Sequence, residues 1–423
     1  MNDDGLTPQL SPTAGIGDVA VRRAALSVKM APFYARGDGI ADDRAAVDAA
    51  LERASAIRGK LYFPPGEYVI RANGPGAVLR GRSNVQVEFA QGAVLKLENP
   101  ARYPLTCFFE HSFVENATYK GLTLNGGGEV GPNGFGANNS KGIQCDGAHI
   151  YGFRRDPRTG GGRGITFQFN CKNIEVNSPK ITNCTTGIDF HGRHSARLDG
   201  IIVVNPTISE CEEAISFYDL FDGDINLNSA ESAQVIVNGG TAFNCGKSTS
   251  ALAPGTNGEG GGVVVSERGH SFSVRNFSVV NEPSYGEIGA VIRGSFSNSD
   301  VDVSYRGECM ALVMFSPALN LAPVKPSAAA VSSGNKISII CAGMCDYVVY
   351  SDNMRGANLA FQNRITVSCH VPRISLMNDI AGRSAENFLE VISLENSKAV
   401  RGYWAELYEK NSTFPDASWD PAH

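Results

Sequence analysis

A short unit, a polar residue followed by apolar residues on alternate positions, recurs along this chain, and few folds can accommodate it. It appears as Asn84-Val85-Gln86-Val87, Asn173-Ile174-Glu175-Val176, Asn276-Phe277-Ser278-Val279, Asn335-Lys336-Ile337-Ser338-Ile339, Asn363-Arg364-Ile365-Thr366-Val367 and Asn387-Phe388-Leu389-Glu390-Val391. A second unit places a cysteine just before an apolar strand: Asn183-Cys184 before Gly187-Ile188, Glu210-Cys211 before Ala214-Ile215, and Asn244-Cys245 ahead of Val263-Val264-Val265. Repeats a few tens of residues long, with short strands and irregular turns, describe a parallel β solenoid whose coils bury their inward residues against one another.

Rival folds fit less well. Glycine occupies 47 of 423 positions and charged residues only 19%, an excess of turn formers over solvated helix surface. One helix is expected, over Arg44 to Ala56, where Ala46, Val47, Ala50, Leu51 and Ala54 fall at 3 and 4 spacing behind Asp42 or Asp43 as N-cap. It is followed by a strand, the Pro64-Pro65-Gly66 turn and another strand. A doubly wound or barrel α/β fold needs a helix after every strand and is excluded. The Leu-x-x-Leu-x-Leu consensus of leucine-rich repeats is missing, and the Asn-Gly hairpin turns of a β-sandwich are sparse. The expected fold is therefore all-β, a single-stranded parallel β-helix (solenoid) with one short helix near its N-terminal end. The expected organisation is an arm over residues 1–30, the β-helix over 31–405 and a tail over 406–423.

The net charge is −6, with no basic run, so nucleic acid is not an expected partner. No apolar run approaches a membrane span, and Met1-Asn2-Asp3-Asp4 lacks the basic-then-apolar order of a signal peptide. The expected location is a virion tail or the cell exterior by a non-classical route, and otherwise the cytoplasm. The ten cysteines sit beside apolar strand residues and read as reduced core thiols. The closest pair, Cys341 and Cys345, has no matching Cys or His pair for zinc.

The segment Phe33 to Ile70, with Tyr34-Ala35-Arg36-Gly37-Asp38-Gly39-Ile40-Ala41-Asp42-Asp43, the short helix, and Leu61-Tyr62-Phe63-Pro64-Pro65-Gly66-Glu67-Tyr68, resembles the opening of the pectate-lyase-like superfamily of right-handed β-helices. It is similar to the versions in phage tailspike depolymerases and family 28-related glycosidases. The lead-in from Gly17 to Lys29 looks like that of phage tail proteins. The resemblance implies a helix that caps the open end of the solenoid, a polysaccharide partner that is bound or cleaved, and, for the tailspike branch, a homotrimer. The Asn-Thr-Asp, mid-chain Asp-Asp and Arg-Ile-Lys motifs of family 28 glycosidases are absent, so their catalytic carboxylates do not carry over.

Candidate chemistry follows from alternation along the strands. Inward pairs Ile165/Phe167, Ile188/Phe190, Ile215/Phe217 and Val263/Val265 leave Thr166/Gln168, Asp189/His191, Ser216/Tyr218 and Val264/Ser266 outward, with Arg193, Asp219, Glu267 and Arg268 just past the strand ends. The expected catalytic residues are Asp189, His191, Tyr218, Asp219 and Glu267. Arg193, Arg268 and Gln168 are the expected substrate-binding residues. Asp189 with Asp219 or Glu267 would suit glycoside hydrolysis, which needs two carboxyl groups. Tyr218 or His191 with Arg193 or Arg268 would suit β-elimination of a uronate, which needs a base for the C5 proton and a cation for the carboxylate.

Each of these residues could instead be ordinary solvated outer face. A glycan-binding adhesin and a fructan-cyclising transferase on the same fold stay open beside the depolymerase. No cofactor is expected. The acidic segment Glu210-Cys211-Glu212-Glu213, followed by Asp219, Asp222 and Asp224, offers a second candidate cleft or a calcium site. Asp222-Gly223-Asp224 opens like an EF-hand, but Leu227 and Ala233 exclude that loop, so any calcium site is irregular. Tyr403, Trp404 and Tyr408 are expected to close the end of the core or a trimer contact, or to stack on sugars.

Overall fold

The computed structural model describes residues 25–403 except 100–101, 129, 156–160, 193–196, 219–233, 248–260, 316–330, 352–358, 362, 370–374, 377–387 and 394–398. Its strands wind into a parallel β-helix. One face is an eleven-stranded parallel sheet, here called the site sheet, which includes Leu105–Ser112, Asn133–Asn138, Arg163–Gln168, Thr186–His191, Glu213–Tyr218, Gly262–His270 and Ile288–Ser297. The other two faces belong to a 22-stranded sheet, with longer strands such as Lys172–Asn177 and Asp199–Val204 on one and three-residue strands such as Lys180–Thr182 and Thr207–Ser209 on the other. The described pairings are parallel until Phe388–Ser393 meets Ala399–Tyr403 antiparallel.

Both sequence units have a structural cause. In the first, Val87, Ile174, Val176, Ile337, Ile339, Ile365 and Val367 are all buried on strands of the large sheet, and Val85 is buried just before its strand. In the second, the residue before each cysteine adopts a left-handed backbone at the corner leading to the site sheet: Asn183, Glu210 and Asn244 have φ of 55, 56 and 50°. The thiol that follows turns inward and donates to the carbonyl two residues back, from Cys184 to Thr182, Cys211 to Ser209 and Cys245 to Phe243, at 3.4–3.5 Å. The nine cysteines with described side chains are buried and unbridged.

A column of aromatic rings fills the core behind the site sheet. Phe167, Phe190, Phe217 and Phe272 stack at successive centroid distances of 5.4, 5.0 and 3.8 Å. The column corrects one expected pairing. Val264, not Val263, lies opposite Ile215, and Ser266 lies opposite Phe217. Phe272, from the next strand, stacks on Phe217 where the small Ser266 cannot.

The helix spans Arg44–Ala56 and buries Val47, Ala50, Leu51 and Ala54. Asp43 is its N-cap by position, but its carboxylate is spent elsewhere, accepting from the backbone N–H groups of Arg36 and Gly37 at 2.6 and 2.8 Å. Asp42 accepts from the Arg44 and Arg71 N–H groups instead and so ties the cap to the first coils.

Farther along, buried asparagines join coils. Asn335 Nδ2 donates to the Phe296 carbonyl at 2.7 Å and to Asn363 Oδ1 at 2.8 Å, while its Oδ1 accepts from Ser299 N at 3.0 Å. Asn335→Ala is expected to lower stability by about 1–3 kcal/mol, because buried partners lose their bonds without regaining water. Urea unfolding of the variant measures this.

Candidate functional site

The central coils of the site sheet bring polar residues together on the outer surface. Register pairing aligns Arg163 with Thr186 and Glu213, Thr166 with Asp189 and Ser216, and Gln168 with His191 and Tyr218. Alternation holds from Ile165 onward but fails at the strand starts, where Gly164-Ile165, Gly187-Ile188 and Ala214-Ile215 are successive buried residues. Glycine makes this close approach possible: a Cβ at Gly187 would lie 2.6 Å from the Ala214 carbonyl oxygen. Arg163, Thr186 and Glu213, which strict alternation assigns to the interior, therefore join the outer surface.

Asp189 is the hub of a buried network. It is 0% exposed, and its carboxylate accepts from Thr166 Oγ1 and Ser216 Oγ, each at 2.9 Å, so the network spans three coils. Arg163 Nε lies 2.8 Å from Asp189 Oδ2. That carboxylate, more than the weaker influence of Tyr218 and Glu213, raises the Arg163 pKa against burial, which opposes its charge. Gln168 Nε2 donates to Thr166 Oγ1 at 3.3 Å.

Beside this network Tyr218 reaches back along its own strand. Its hydroxyl donates to the Glu213 carboxylate, 3.2 and 3.1 Å from the two oxygens, and Thr186 Oγ1 donates to the same group at 3.1 Å. Burial raises the Glu213 pKa, opposed by these two hydrogen bonds and by the positive charges of Arg155 and Arg163. The His191 ring stands 5.8 Å from the Tyr218 ring. Arg154 and Arg155 flank the strand starts. Arg154 pairs with Glu212 at 3.9 Å and donates to Asn183, while the Arg155 N–H donates to Thr185 Oγ1 at 2.7 Å.

Because the folded pKa of Glu213 lies above its unfolded value, its contribution to stability is present below the ordinary glutamate pKa and is lost as pH rises through the raised one. Glu213→Gln is expected to flatten this part of the melting temperature against pH profile. Thermal scans across the acidic range check it.

Of the sequence candidates, Asp189, His191, Tyr218 and Gln168 come together here. Arg193 and Asp219 lie outside the described residues, as do Trp404, Tyr408 and the acidic run Asp222 to Asp224. Glu267 and Arg268 are not past a strand end but inside Gly262–His270, with Glu267 the register partner of Tyr218; their side chains are not described. Tyr403 ends the antiparallel strand Ala399–Tyr403 at the end of the described coils. Arg154, Arg155, Arg163 and Thr186 were missed. The Gly187-Ile188 and Ala214-Ile215 pairs that follow each cysteine carried the signal of two inward residues in a row. Among the described residues, no group of three or more His, Cys, Asp or Glu side chains is arranged to hold a metal ion, and no helix is long and apolar enough to cross a membrane.

No known family profile matches the chain. One curated relative, mannuronan C5-epimerase AlgE6 of Azotobacter vinelandii, is 37% identical over 102 residues, which are 22% of this chain and only 12% of that protein. The solved A-module of the same epimerase superposes with a TM-score of 0.56 at 16% identity, covering 87% of this chain and 99% of the module. An exopolygalacturonase of Thermotoga maritima gives 0.52 at 13% identity, covering 90% and 94%. These likenesses establish the fold, a right-handed parallel β-helix.

Proposed function

We propose that this chain acts on a uronate-containing polysaccharide, and that its chemistry begins with removal of the proton at C5 of a uronate. The observation that carries the reading is the Tyr218 hydroxyl bonded to Glu213 beside the Arg163 guanidinium. The match to a protein named as a mannuronan C5-epimerase supports it.

A C5 proton is weakly acidic until the neighbouring carboxylate is neutralised, and Arg163 and Arg155 supply the positive charge for this. Tyr218 then takes the C5 proton on its oxygen while passing its own to Glu213. Burial makes Glu213 a stronger base than an ordinary glutamate and suits it to receive that proton. In this reading His191, next to the Tyr218 ring, protonates the leaving glycosidic oxygen to complete β-elimination, whereas epimerisation takes a proton delivered to C5 from the face away from Tyr218. Asp189 is a positioning residue in this scheme, since its oxygens are occupied by Thr166, Ser216 and Arg163. That occupancy weighs against hydrolysis by a pair of carboxyl groups with Asp189 as one of them.

The test is incubation with a panel of uronate and neutral polysaccharides in heavy water. Epimerisation is expected to leave deuterium at C5 without ultraviolet absorbance, and elimination to give the ultraviolet absorbance of an unsaturated uronate, whose C4–C5 double bond carries no hydrogen at C5. New reducing ends with no deuterium at C5 and no unsaturation would mean hydrolysis and overturn the reading. Binding with no chemical change would mean an adhesin.

A further inference from the structure

We infer that Phe113 and Phe169 form a two-ring platform that stacks on sugar rings of an extended glycan chain, away from the reacting uronate. The inference rests on the proposed polysaccharide function and assigns it further subsites.

The two residues occupy the same structural position in alternate coils, the first residue after a site-sheet strand. Backbone bonds define the position: Phe113 N donates to the Asn138 carbonyl, Asn139 N to Gln168, and Phe169 N to His191, at 3.0–3.4 Å. All three residues are left-handed, with φ of 58, 47 and 59°. A bulky aromatic side chain is an unfavourable choice for this conformation, whereas asparagine tolerates it. The fold itself does not require a ring there. Asn139 fills the position between the two phenylalanines, and farther along Ser271 and Asn298 fill it, again left-handed and bonded to the next coil.

Burial does not explain the rings either, since Phe113 is 74% exposed and Phe169 is only partly covered. Exposed apolar groups held against local preference point to a ligand. The ligand class follows from place and spacing. Each phenylalanine directly follows the outward row Ser112, Asn138, Gln168, His191 and Tyr218, so the platform continues the candidate site along the helix axis. Phe113 and Phe169 are two coils apart, and Phe169 is two coils from Tyr218, intervals of about 9.6 Å at ~4.8 Å per coil. That is close to the length of a disaccharide in an extended polymer. The C–H face of a pyranose ring packs on an aromatic face, so one sugar in every two would meet a ring.

The experiment measures binding by the full chain of mannuronan disaccharide and hexasaccharide and of a neutral glucan hexasaccharide, in the wild type, Phe113→Asn and Phe169→Asn. Each variant puts in place of the ring the residue this chain itself uses at position 139. Each is expected to weaken hexasaccharide binding by about ten-fold, with the melting temperature unchanged or raised. Equal hexasaccharide binding in all three proteins overturns the platform, as does a fall in melting temperature that accounts for the lost affinity, or a wild type that binds neither hexasaccharide. If the glucan alone binds, with the same dependence on the two rings, the platform stands and the uronate reading fails.

Discussion

Tyr218→Phe is expected to lower turnover of a uronate polymer by about 10²- to 10⁴-fold, the usual loss when a positioned acid or base is removed. The variant keeps the ring and loses one oxygen, the atom bonded to Glu213. The Phe190 and Phe217 stack lies on the other side of the sheet and is untouched, and Glu213 keeps its bond from Thr186, so the loss of stability should stay within the cost of one hydrogen bond, about 1–3 kcal/mol. Initial rates at saturating substrate, with a melting curve on the same sample, decide the matter. Full turnover by a folded Tyr218→Phe protein would place the base elsewhere.

Arg163→Met carries the second large effect, and this one is structural as well as functional. It removes the guanidinium from a carboxylate that is 0% exposed, and breaking a buried pair from one side typically costs about 3–5 kcal/mol. Urea unfolding should show a loss of that size. Adding Asp189→Asn to Arg163→Met should recover most of the stability, because the buried charge disappears while the amide oxygen accepts from one of the Thr166 and Ser216 hydroxyls and the amide nitrogen donates to the other. Turnover should not return, since the cation for the substrate carboxylate is still missing. Recovery of both stability and activity would mean that Arg163 only holds the fold.

The solenoid was legible in the sequence because its two signals are local. A left-handed corner residue followed by a buried thiol leaves Asn183-Cys184, Glu210-Cys211 and Asn244-Cys245, and a strand buried on one face leaves Ile174/Val176 or Ile337/Ile339. Half of the site followed from the same alternation, which put Asp189, His191 and Tyr218 outward on neighbouring coils.

Three features were not legible, each for a physical reason. Arg163 and Glu213 sit where two successive residues turn inward, so a period of two assigns them to the wrong side. The coil at Val264 pairs one residue away from the alignment suggested by apolar residues, since Val263, Val264 and Val265 are all apolar and cannot mark a face. Asp189 reads as free to act only if outward means exposed, and here it does not. The Thr166 and Ser216 side chains on the adjacent coils and the Arg163 guanidinium cover it completely.

A structure of Tyr218→Phe with a bound uronate oligosaccharide tests the central claim most directly. One sugar carboxylate is expected within about 4 Å of the Arg163 guanidinium, the reach of an ion pair, with C5 of the same sugar facing the ring edge of residue 218 and the chain running toward Phe169. An oligosaccharide lying on either face of the 22-stranded sheet, or crossing the site sheet with no carboxylate at Arg163, would contradict it.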